Sequence, residues 1–322
     1  MSNIILQVED LQTSFFTRAG EFKAVGGVSF HVCEGETFGL VGESACGKTV
    51  TGLSLLRLLP EPAGKIIGGK IILNGRDILK LSKKEMREVR GKEISMILQD
   101  PMTSLNPVYQ VGDQIAEAVR LQQHLPDDKI EDEVISALRL LRIPAPEQRI
   151  HDYPFQMSGG MRQRVVGSVA MSCRPRLLIA DEPTTALDAT IQAQYLALFR
   201  DIQQQTNVGI IFITHDFGVV ASICHRVAVM YAGKILETAS TSTIFKRPKH
   251  PYTHALINSV PHLDRKDERL YSIEGQPPSL LNLPPGCRFA PRCPDVMDVC
   301  HKQQPPEKEI EEGHTVSCWK FS

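Results

Sequence analysis

The sequence predicts an α/β fold in which buried strands alternate with helices. Three apolar runs have the length and composition of strands covered on both faces: 37–41, 177–180 and 209–214. A glycine-rich turn follows the first run, and a leucine-rich segment without Gly or Pro comes next, which gives the order strand, turn, helix. These observations indicate a parallel sheet whose strands carry polar residues at their carboxyl ends.

The elements before and after that first turn divide the chain into regions. Short β-like runs at 4–8, 37–41 and 94–98 alternate with glycine-containing turns in the first hundred residues. Beside the parallel sheet, we expect an N-terminal antiparallel β subdomain. Between about 100 and 170 the apolar period becomes helical and predicts a helical insertion. One helix of that insertion is marked by Ile130, Val134, Ala137, Leu138 and Leu141. We place a first domain at 1–255 and an irregular, cysteine-rich extension at 256–322.

Composition excludes several classes of protein. The 322 residues include 36 Lys and Arg against 37 Asp and Glu, so no basic excess favours binding to nucleic acid. No stretch approaches the roughly 20 apolar residues that span a bilayer, and the first ten residues lack the features of a signal peptide. Eight cysteines without an export signal argue against a disulfide framework. A cytosolic protein is expected, whose role at a membrane would require partners.

The turn after the first strand matches the pattern G-x-x-x-x-G-K-[ST], here called the P-loop (residues 42–49). Such a loop turns backbone N–H groups toward phosphate oxygens, and the following helix N-terminus adds a positive dipole. Lys48 is expected to reach the β- and γ-phosphates, and the Thr49 hydroxyl to ligate Mg²⁺. The predicted ATP contacts here are Gly42, Glu43, Ser44, Ala45, Cys46, Gly47, Lys48, Thr49 and Val50.

A second motif accompanies the P-loop. The strand at 177–180 ends in Asp181 and Glu182. Asp181 is expected to join the metal shell, and Glu182 to polarise the attacking water. An apolar run that ends in two acids is often only a solvated strand end, but together with a P-loop it indicates a site for Mg²⁺ and a nucleotide.

Further motifs resemble those of ATP-binding-cassette (ABC) ATPases. A Ser-Gly-Gly turn precedes a predicted helix, Gln99 follows the strand at 94–98, and His215 follows the strand at 209–214. The resemblance implies that Gln99, Glu182 and His215 are catalytic, and that Gln99 also contacts ATP and Mg²⁺. The signature motif, which would serve the ATP of a facing subunit, is Ser158, Gly159, Gly160 and Met161. The D-loop is Ala186, Leu187 and Asp188.

The resemblance extends over essentially the full chain and is closest to ATPases of oligopeptide and dipeptide importers. The segments that carry it are 99–107, 182–188, 250–253 and the cysteine-containing tail. By this comparison Phe15 stacks on adenine, although the adjacent Phe16 leaves the register open. Ala45 and Cys46 stand where the family usually has Gly and Ser. Ala45 would be strained if a positive φ is needed, and Cys46 would bring an oxidisable thiol beside the phosphates.

The resemblance implies an ATP-hydrolysing subunit that powers import of peptides or a related small solute. Its partners would be two integral-membrane permease subunits, an external solute-binding protein and a second ATPase, for which a homologue is expected and a second copy is possible. Such a subunit lies peripherally on the cytoplasmic face of the inner membrane. Residues soon after Gln99, including Asn106 and Val108, would receive a short permease helix. The alternatives are a soluble ABC ATPase acting on nucleic acid or ribosomes, and a redox-sensing regulatory ATPase.

The tail contains four of the eight cysteines in a Pro-rich segment with little apolar material. Four thiolates suit tetrahedral Zn²⁺ or a [4Fe–4S] cluster, and a tail without metal is the third possibility. The tight C-x₂₋₄-C spacing that is usual for zinc is absent. The same extension in related peptide importers is associated with a [4Fe–4S] cluster, so the resemblance implies such a cluster on Cys287, Cys293, Cys300 and Cys318.

Overall fold

A computed structural model describes residues 3–123, 125–185, 187–260 and 272–322. The described residues form two compact units. The helical unit comprises Met1–Leu6, Val32–Glu36 and Lys80–Phe212, and the P-loop unit comprises Gln7–His31, Thr37–Leu79 and Ile213–Ser322. In the part of the chain that the structure describes, no helix is both long and apolar enough to span a bilayer.

The elements follow the alternation that the sequence predicts. The strands are β1 (Ile4–Thr17), β2 (Gly20–Cys33), β3 (Thr37–Val41), β4 (Gly64–Leu73), β5 (Arg76–Asp77), β6 (Ile94–Ile97), β7 (Leu177–Asp181), β8 (Gly209–Thr214), β9 (Arg226–Tyr231), β10 (Lys234–Ser240), β11 (Lys308–Glu311) and β12 (His314–Val316). The helices are α1 (Lys48–Leu55), α2 (Lys83–Val89), α3 (Pro101–Ser104), α4 (Val111–Gln123), α5 (Asp127–Leu140), α6 (Pro146–Arg149), α7 (Gly159–Met171), α8 (Ala189–Thr206), α9 (Phe217–Ile223), α10 (Thr241–Lys246), α11 (Pro251–Asn258) and α12 (Asp298–Lys302).

The P-loop unit contains strands of two sheets. The order β2-β1-β4-β5 forms one, in which β4 and β5 are antiparallel, and this confirms the predicted N-terminal β subdomain. In the other, β3 is parallel to β9, and β9, β10, β12 and β11 follow as antiparallel neighbours. Every residue of β3 is buried, as expected for a strand covered on both faces.

The helical unit contains the predicted insertion and the strands β6, β7 and β8, which are neighbours in that order. β6 and β7 are parallel, with Ile94 opposite Leu177. Helices α3 to α7 lie between Pro101 and Met171, close to the predicted limits of 100 and 170. The apolar residues that predicted α5 are all buried, so the 3.6-residue period identified the helix face that packs inward.

Helix α1 ends earlier than its leucine-rich sequence suggests. Arg57 adopts a left-handed conformation at φ 51°, and the Leu58 N–H donates to the carbonyl of Leu53. This pairing closes the helix in the manner of a Schellman motif. Leu58 therefore lies beyond the helix and is 48% exposed, so the apolar run is longer than the helix it predicted.

The C-terminal extension is more regular than its prolines indicate. Two short strands, β12 and β11, extend the sheet outward from β10, with Glu237 opposite Val316. The fully buried carboxylate of Glu237 accepts hydrogen bonds from the backbone N–H groups of Lys249 and His250 and lies 2.8 Å from Nε2 of His314. These contacts attach the extension to the P-loop unit. The division at residue 255 stays a prediction.

Candidate functional site

The P-loop connects β3 to α1 in a conformation that requires its glycines. Gly42 has φ 154°, and a Cβ there would lie 2.0 Å from the Met230 carbonyl oxygen. Gly47 has φ 105°, and a Cβ there would lie 2.3 Å from the Ala24 carbonyl oxygen. Both glycines are therefore required by the packing of the loop on neighbouring backbone.

The two unusual loop residues behave differently from one another. Ala45 has φ 60°, in the left-handed region, so the strain expected from the sequence is confirmed. Cys46 is only 4% exposed, and burial raises the pKa of its thiol despite the nearby Lys48 ammonium. A buried, protonated thiol is a poor nucleophile, so Cys46 is less prone to oxidation than the sequence suggested.

Lys48 is folded back over the loop that precedes it. Its Nζ donates to the carbonyl oxygens of Gly42 at 2.8 Å and Glu43 at 2.9 Å, and the residue is buried. Thr49 is exposed and Val50 half-buried in the first turn of α1, while Ser44 is exposed beside Ala45. The ammonium group is thus held by two backbone carbonyl oxygens at the start of the same loop.

Glu43 is held in place by residues outside the P-loop, through both its backbone and its side chain. Its N–H donates to the Tyr252 hydroxyl at 3.0 Å, and its carboxylate forms a bidentate ion pair with Arg292, at 2.7 and 3.0 Å. Tyr252 packs against Tyr231 and Phe289, with ring centroids 4.6 and 5.2 Å away. A cavity of about 250 Å³ adjoins this part of the loop. Its lining comprises Phe22, Glu43, Ser44, Ala45, Cys46, Tyr231, Ala232, Pro277, Pro278, Ser279 and Leu280.

Tyr252 is itself positioned by His250. The His250 Nδ1 accepts a hydrogen bond from the Tyr252 N–H at 3.0 Å and so caps the N-terminus of α11. Burial lowers the pKa of His250 to about 3, so the ring is neutral and can accept that bond at physiological pH. No local sequence signal predicts this supporting role of His250, or that of Arg292, because both depend on contacts with residues far away in the chain.

In the helical unit, the carboxyl end of β7 brings Gln99 and Glu182 together. The Gln99 Nε2 donates to Oε2 of Glu182 at 3.1 Å, and the Thr185 hydroxyl donates to the same oxygen at 3.0 Å. Glu182 has φ 46°, which turns the chain sharply after the strand. Asp181, the last residue of β7, is buried. The structure thus orients the carboxylate that the sequence predicts to be the catalytic base.

The Ser-Gly-Gly turn forms the N-terminus of α7. The Ser158 hydroxyl caps the helix by accepting a bond from the Met161 N–H at 3.3 Å. A Cβ added at Gly159 would meet no described atom within 4 Å, and one at Gly160 would contact only Ile191, at 3.1 Å. Within the described residues, packing therefore gives little reason for glycine at Gly159.

The remaining predicted residues lie at the starts of helices or on strands. Asp188 caps α8 by accepting from the N–H groups of Thr190 and Ile191, and Leu187 precedes it; Ala186 lies outside the described residues. His215 follows β8 and is exposed. Phe15 is half-buried and Phe16 is 46% exposed, on opposite faces of β1.

The tail cysteines are free thiols. Cys287, Cys300 and Cys318 are buried and Cys293 is half-buried. Burial raises the pKa values of Cys287, Cys293 and Cys318, and neighbouring cysteines of the same set raise each of them further. Among the described residues, no three His, Cys, Asp or Glu side chains are grouped so that they could hold a single metal ion.

Comparison with protein families gives two matches. The family described as ABC transporter matches residues 25–185, and the family described as oligopeptide/dipeptide transporter, C-terminal region, matches residues 236–300. A probable peptide ABC transporter ATP-binding protein of Sinorhizobium fredii is 52% identical, over 99% of this chain and 96% of the relative. A dipeptide transport ATP-binding protein of Bacillus subtilis is 51% identical, over 98% of this chain and 94% of the relative.

Solved structures share the fold of the chain. One is a dimeric ATP-binding cassette in a post-hydrolysis state, bound to ADP and Pi, with a TM-score of 0.65 and 19% sequence identity. The superposition covers 73% of this chain and 98% of the cassette chain. Another is cbiO1 of Clostridium perfringens, part of an ABC transporter complex, with a TM-score of 0.64 and 26% sequence identity. The superposition covers 76% of this chain and 92% of the cbiO1 chain.

Proposed function

The chain belongs to the ABC transporter family as an ATPase subunit, and from this premise we propose that it powers the import of dipeptides or oligopeptides. The observation that carries the proposal is the match along nearly the whole chain, tail included, to ATP-binding proteins of peptide transporters. The near-neutral net charge of −1 disfavours the alternative of an ATPase that acts on nucleic acid or ribosomes.

We propose separate roles in ATP binding and hydrolysis for the predicted site residues of this chain. Lys48 and the P-loop N–H groups would bind the β- and γ-phosphates, with an aromatic residue at 15 or 16 stacked on the base. Thr49, Gln99 and Asp181 offer hydroxyl, amide and carboxylate oxygens, a donor set that fits Mg²⁺. When bound, this ion would neutralise charge on the phosphates. We propose that Glu182 accepts the proton of the attacking water and that His215 contacts the terminal phosphate.

The orientation of Glu182 supports this assignment. Because the Gln99 amide and the Thr185 hydroxyl both donate to Oε2, the carboxylate cannot rotate freely. A fixed carboxylate can take a proton from a bound water without first reorganising. Glu182 is therefore the residue we propose as the general base.

The exposed turn at 158–161 is proposed to serve a second subunit. A Cβ added at Gly159 would meet no described atom beyond its own helix within 4 Å, so the glycine is best explained by an approach from outside this chain. A helix N-terminus capped by Ser158 offers N–H groups to an anion. We infer an ATPase dimer, with a homologue or a second copy as the partner.

Coupling to two permease subunits is proposed at the loop between α3 and α4. Val108 is 72% and Tyr109 56% exposed, which is unusual for large apolar side chains. The Gln114 side chain holds this loop: it accepts from the Asn106 N–H at 2.9 Å and donates to the carbonyls of Asn106 and Tyr109, each at 3.0 Å. The loop is thus presented in a fixed conformation, as a docking site for a permease helix requires. Cysteine crosslinks from position 106 or 108 to permease loops would test the placement, and crosslinks only to the ATPase partner would contradict it.

For the tail we propose a [4Fe–4S] cluster on Cys287, Cys293, Cys300 and Cys318. The support for this proposal is the resemblance of the tail to those of related peptide importers, and four free thiols are the type of donor set that such a cluster uses. In the described residues these side chains are not grouped around a single metal position, so the cluster would have to draw them together when it binds. Protein purified without oxygen should be brown with about four irons per chain. Colourless protein with one zinc would show a zinc site instead, and full metal retention after replacement of Cys293 and Cys300 would exclude these ligands.

Extraction of membranes with detergent tests the proposed function as a whole. The native chain is proposed to lie on the cytoplasmic side of the membrane, and after extraction it should co-purify with integral permeases. When the complex is reconstituted, an external binding protein loaded with peptide should stimulate ATP hydrolysis. A Glu182→Gln chain is the matched control because it should assemble without supporting uptake. A chain that is recovered as a free monomer, and hydrolyses ATP without permeases, would favour the soluble or redox-regulated alternatives.

A further inference from the structure

The P-loop carries a negative charge of its own. Glu43 is the second residue of the loop, and its carbonyl oxygen lies 2.9 Å from Nζ of Lys48, the cation proposed to bind the β- and γ-phosphates. The carboxylate of Glu43 belongs to the same loop as this cation, and a negative charge in a loop that binds a polyanion would disfavour the binding, because like charges repel where solvent is partly excluded. Its charge therefore needs a counter-charge if the loop is to hold ATP.

Arg292 supplies that counter-charge from the C-terminal extension. Its guanidinium donates to both carboxylate oxygens of Glu43, at 2.7 and 3.0 Å, and its side chain is 4% exposed. The other donors reach the Tyr231 hydroxyl at 3.2 Å and the carbonyls of Ile273 and Glu274 at 3.3 and 3.0 Å. All five guanidinium hydrogens thus have acceptors, which fixes the group in place.

We propose that Arg292 is a positioning residue of the nucleotide site, which neutralises Glu43 and directs its carboxylate away from the phosphates. The residue acts through Glu43 and needs no contact with ATP. The inference rests on the proposed function only in that the P-loop binds ATP; it does not depend on the transported solute. It also gives the extension a role in nucleotide binding that is separate from metal binding.

A purely mechanical link between tail and loop would behave differently. In that case either neutral variant breaks the same ion pair, so Glu43→Gln and Arg292→Gln would weaken ATP binding alike. Charge compensation predicts effects of opposite sign, because Arg292→Gln leaves a carboxylate without its partner and Glu43→Gln leaves a cation without its partner. The two mechanisms are therefore separable by equilibrium binding.

The experiment measures ATP and ADP affinity of the full chain at low and high salt. Arg292→Gln should weaken ATP binding about tenfold, Glu43→Gln should strengthen it about threefold, and the double variant should lie within about twofold of the native chain. The loss should be smaller for ADP, which carries less charge, and should shrink at high salt. Lys320→Gln is the matched control: it removes an exposed ion pair of the same extension, with Asp295 at 2.7 Å, and should leave both affinities unchanged.

Several results would overturn the inference. Weaker ATP binding in both single variants, no change in Arg292→Gln, or an equal loss for ATP and ADP would each exclude charge compensation. If Arg292→Gln does not fold, two other variants still test the inference. Arg292→Lys must retain most of the ATP affinity, and Glu43→Gln must not weaken it. A native chain that does not bind ATP would instead contradict the P-loop assignment and hence the proposed function.

Discussion

The P-loop and the turn at 158–161 are both glycine-containing segments that lead into a helix, yet their glycines are required for different reasons. In the P-loop, Gly42 and Gly47 have positive φ and lie against backbone carbonyls of the same chain. In the other turn, an added Cβ at Gly159 would meet no described atom within 4 Å. The first set of glycines therefore builds the fold of this chain, whereas the second suits a surface that another molecule approaches.

The largest expected effect concerns the carboxylate rather than the glycines. Glu182→Gln should lower the ATPase rate about 10²- to 10³-fold while ATP still binds, because the amide cannot accept the proton of the water. Lys48→Ala should instead weaken binding, since it removes the cation from the P-loop. Steady-state turnover and nucleotide-binding measurements separate the two outcomes. A Glu182→Gln chain that hydrolyses ATP at the native rate would show that another group is the base.

A matched pair of alanine variants sharpens the comparison of the two turns. Gly47→Ala should destabilise the chain by about 1–3 kcal/mol and abolish tight ATP binding, because the added Cβ meets the Ala24 carbonyl at a positive φ. Gly159→Ala should leave the melting temperature and the ATP affinity of the isolated chain unchanged, and lower turnover only in the assembled transporter. Thermal unfolding, binding and reconstituted ATPase assays give these three readouts. Loss of ATP binding in isolated Gly159→Ala would break the distinction.

The support behind the P-loop should make stability depend on pH. The folded-state pKa of His250, about 3, lies below its ordinary value of 6.5, so the unfolded chain binds the proton more readily and stability falls as pH falls from about 6.5. Relative to pH 7.5, the loss at pH 5 should be about 2 kcal/mol. His250→Asn retains a helix-capping side chain without the titration and should remove this part of the slope. Chemical unfolding of both chains at the two pH values measures it, and equal slopes would contradict the assignment.

The smallest expected effect is at Ala45. Because its φ of 60° is left-handed, Ala45→Gly should stabilise the chain by about 0.5–1 kcal/mol. The gain should appear as a small rise in melting temperature, with ATP affinity kept. Ala145 has φ 47° in the helical unit and gives a matched control, in which the same substitution should stabilise the chain without any connection to the P-loop. A fall in melting temperature for Ala45→Gly would show that the loop does not store strain there.

Sequence reasoning located the elements whose formation depends on local patterns. The limits of β3 and β8 coincide with their apolar runs, and the P-loop motif fixed a strand, a turn and a helix. It missed contacts between residues far apart in the chain. The Glu43–Arg292 pair spans 249 positions, and β12 has only three residues, so its strand conformation depends on pairing with β10. No local signal predicts such pairings.

The short strand β11 has a consequence for the behaviour of the protein at high concentration. An open sheet edge displays unpaired N–H and C=O groups that can recruit a strand from another molecule. Here the edge of the seven-residue strand β10 is paired with β12, and β11 lies beyond β12 as the outermost strand. β11 has four residues, and three of them, Lys308, Glu309 and Glu311, are charged and exposed. A brief, charged outer strand is a poor template for further pairing. Deletion of 308–316 would therefore uncover β10 and favour aggregation, so these last strands protect solubility as well as completing the sheet.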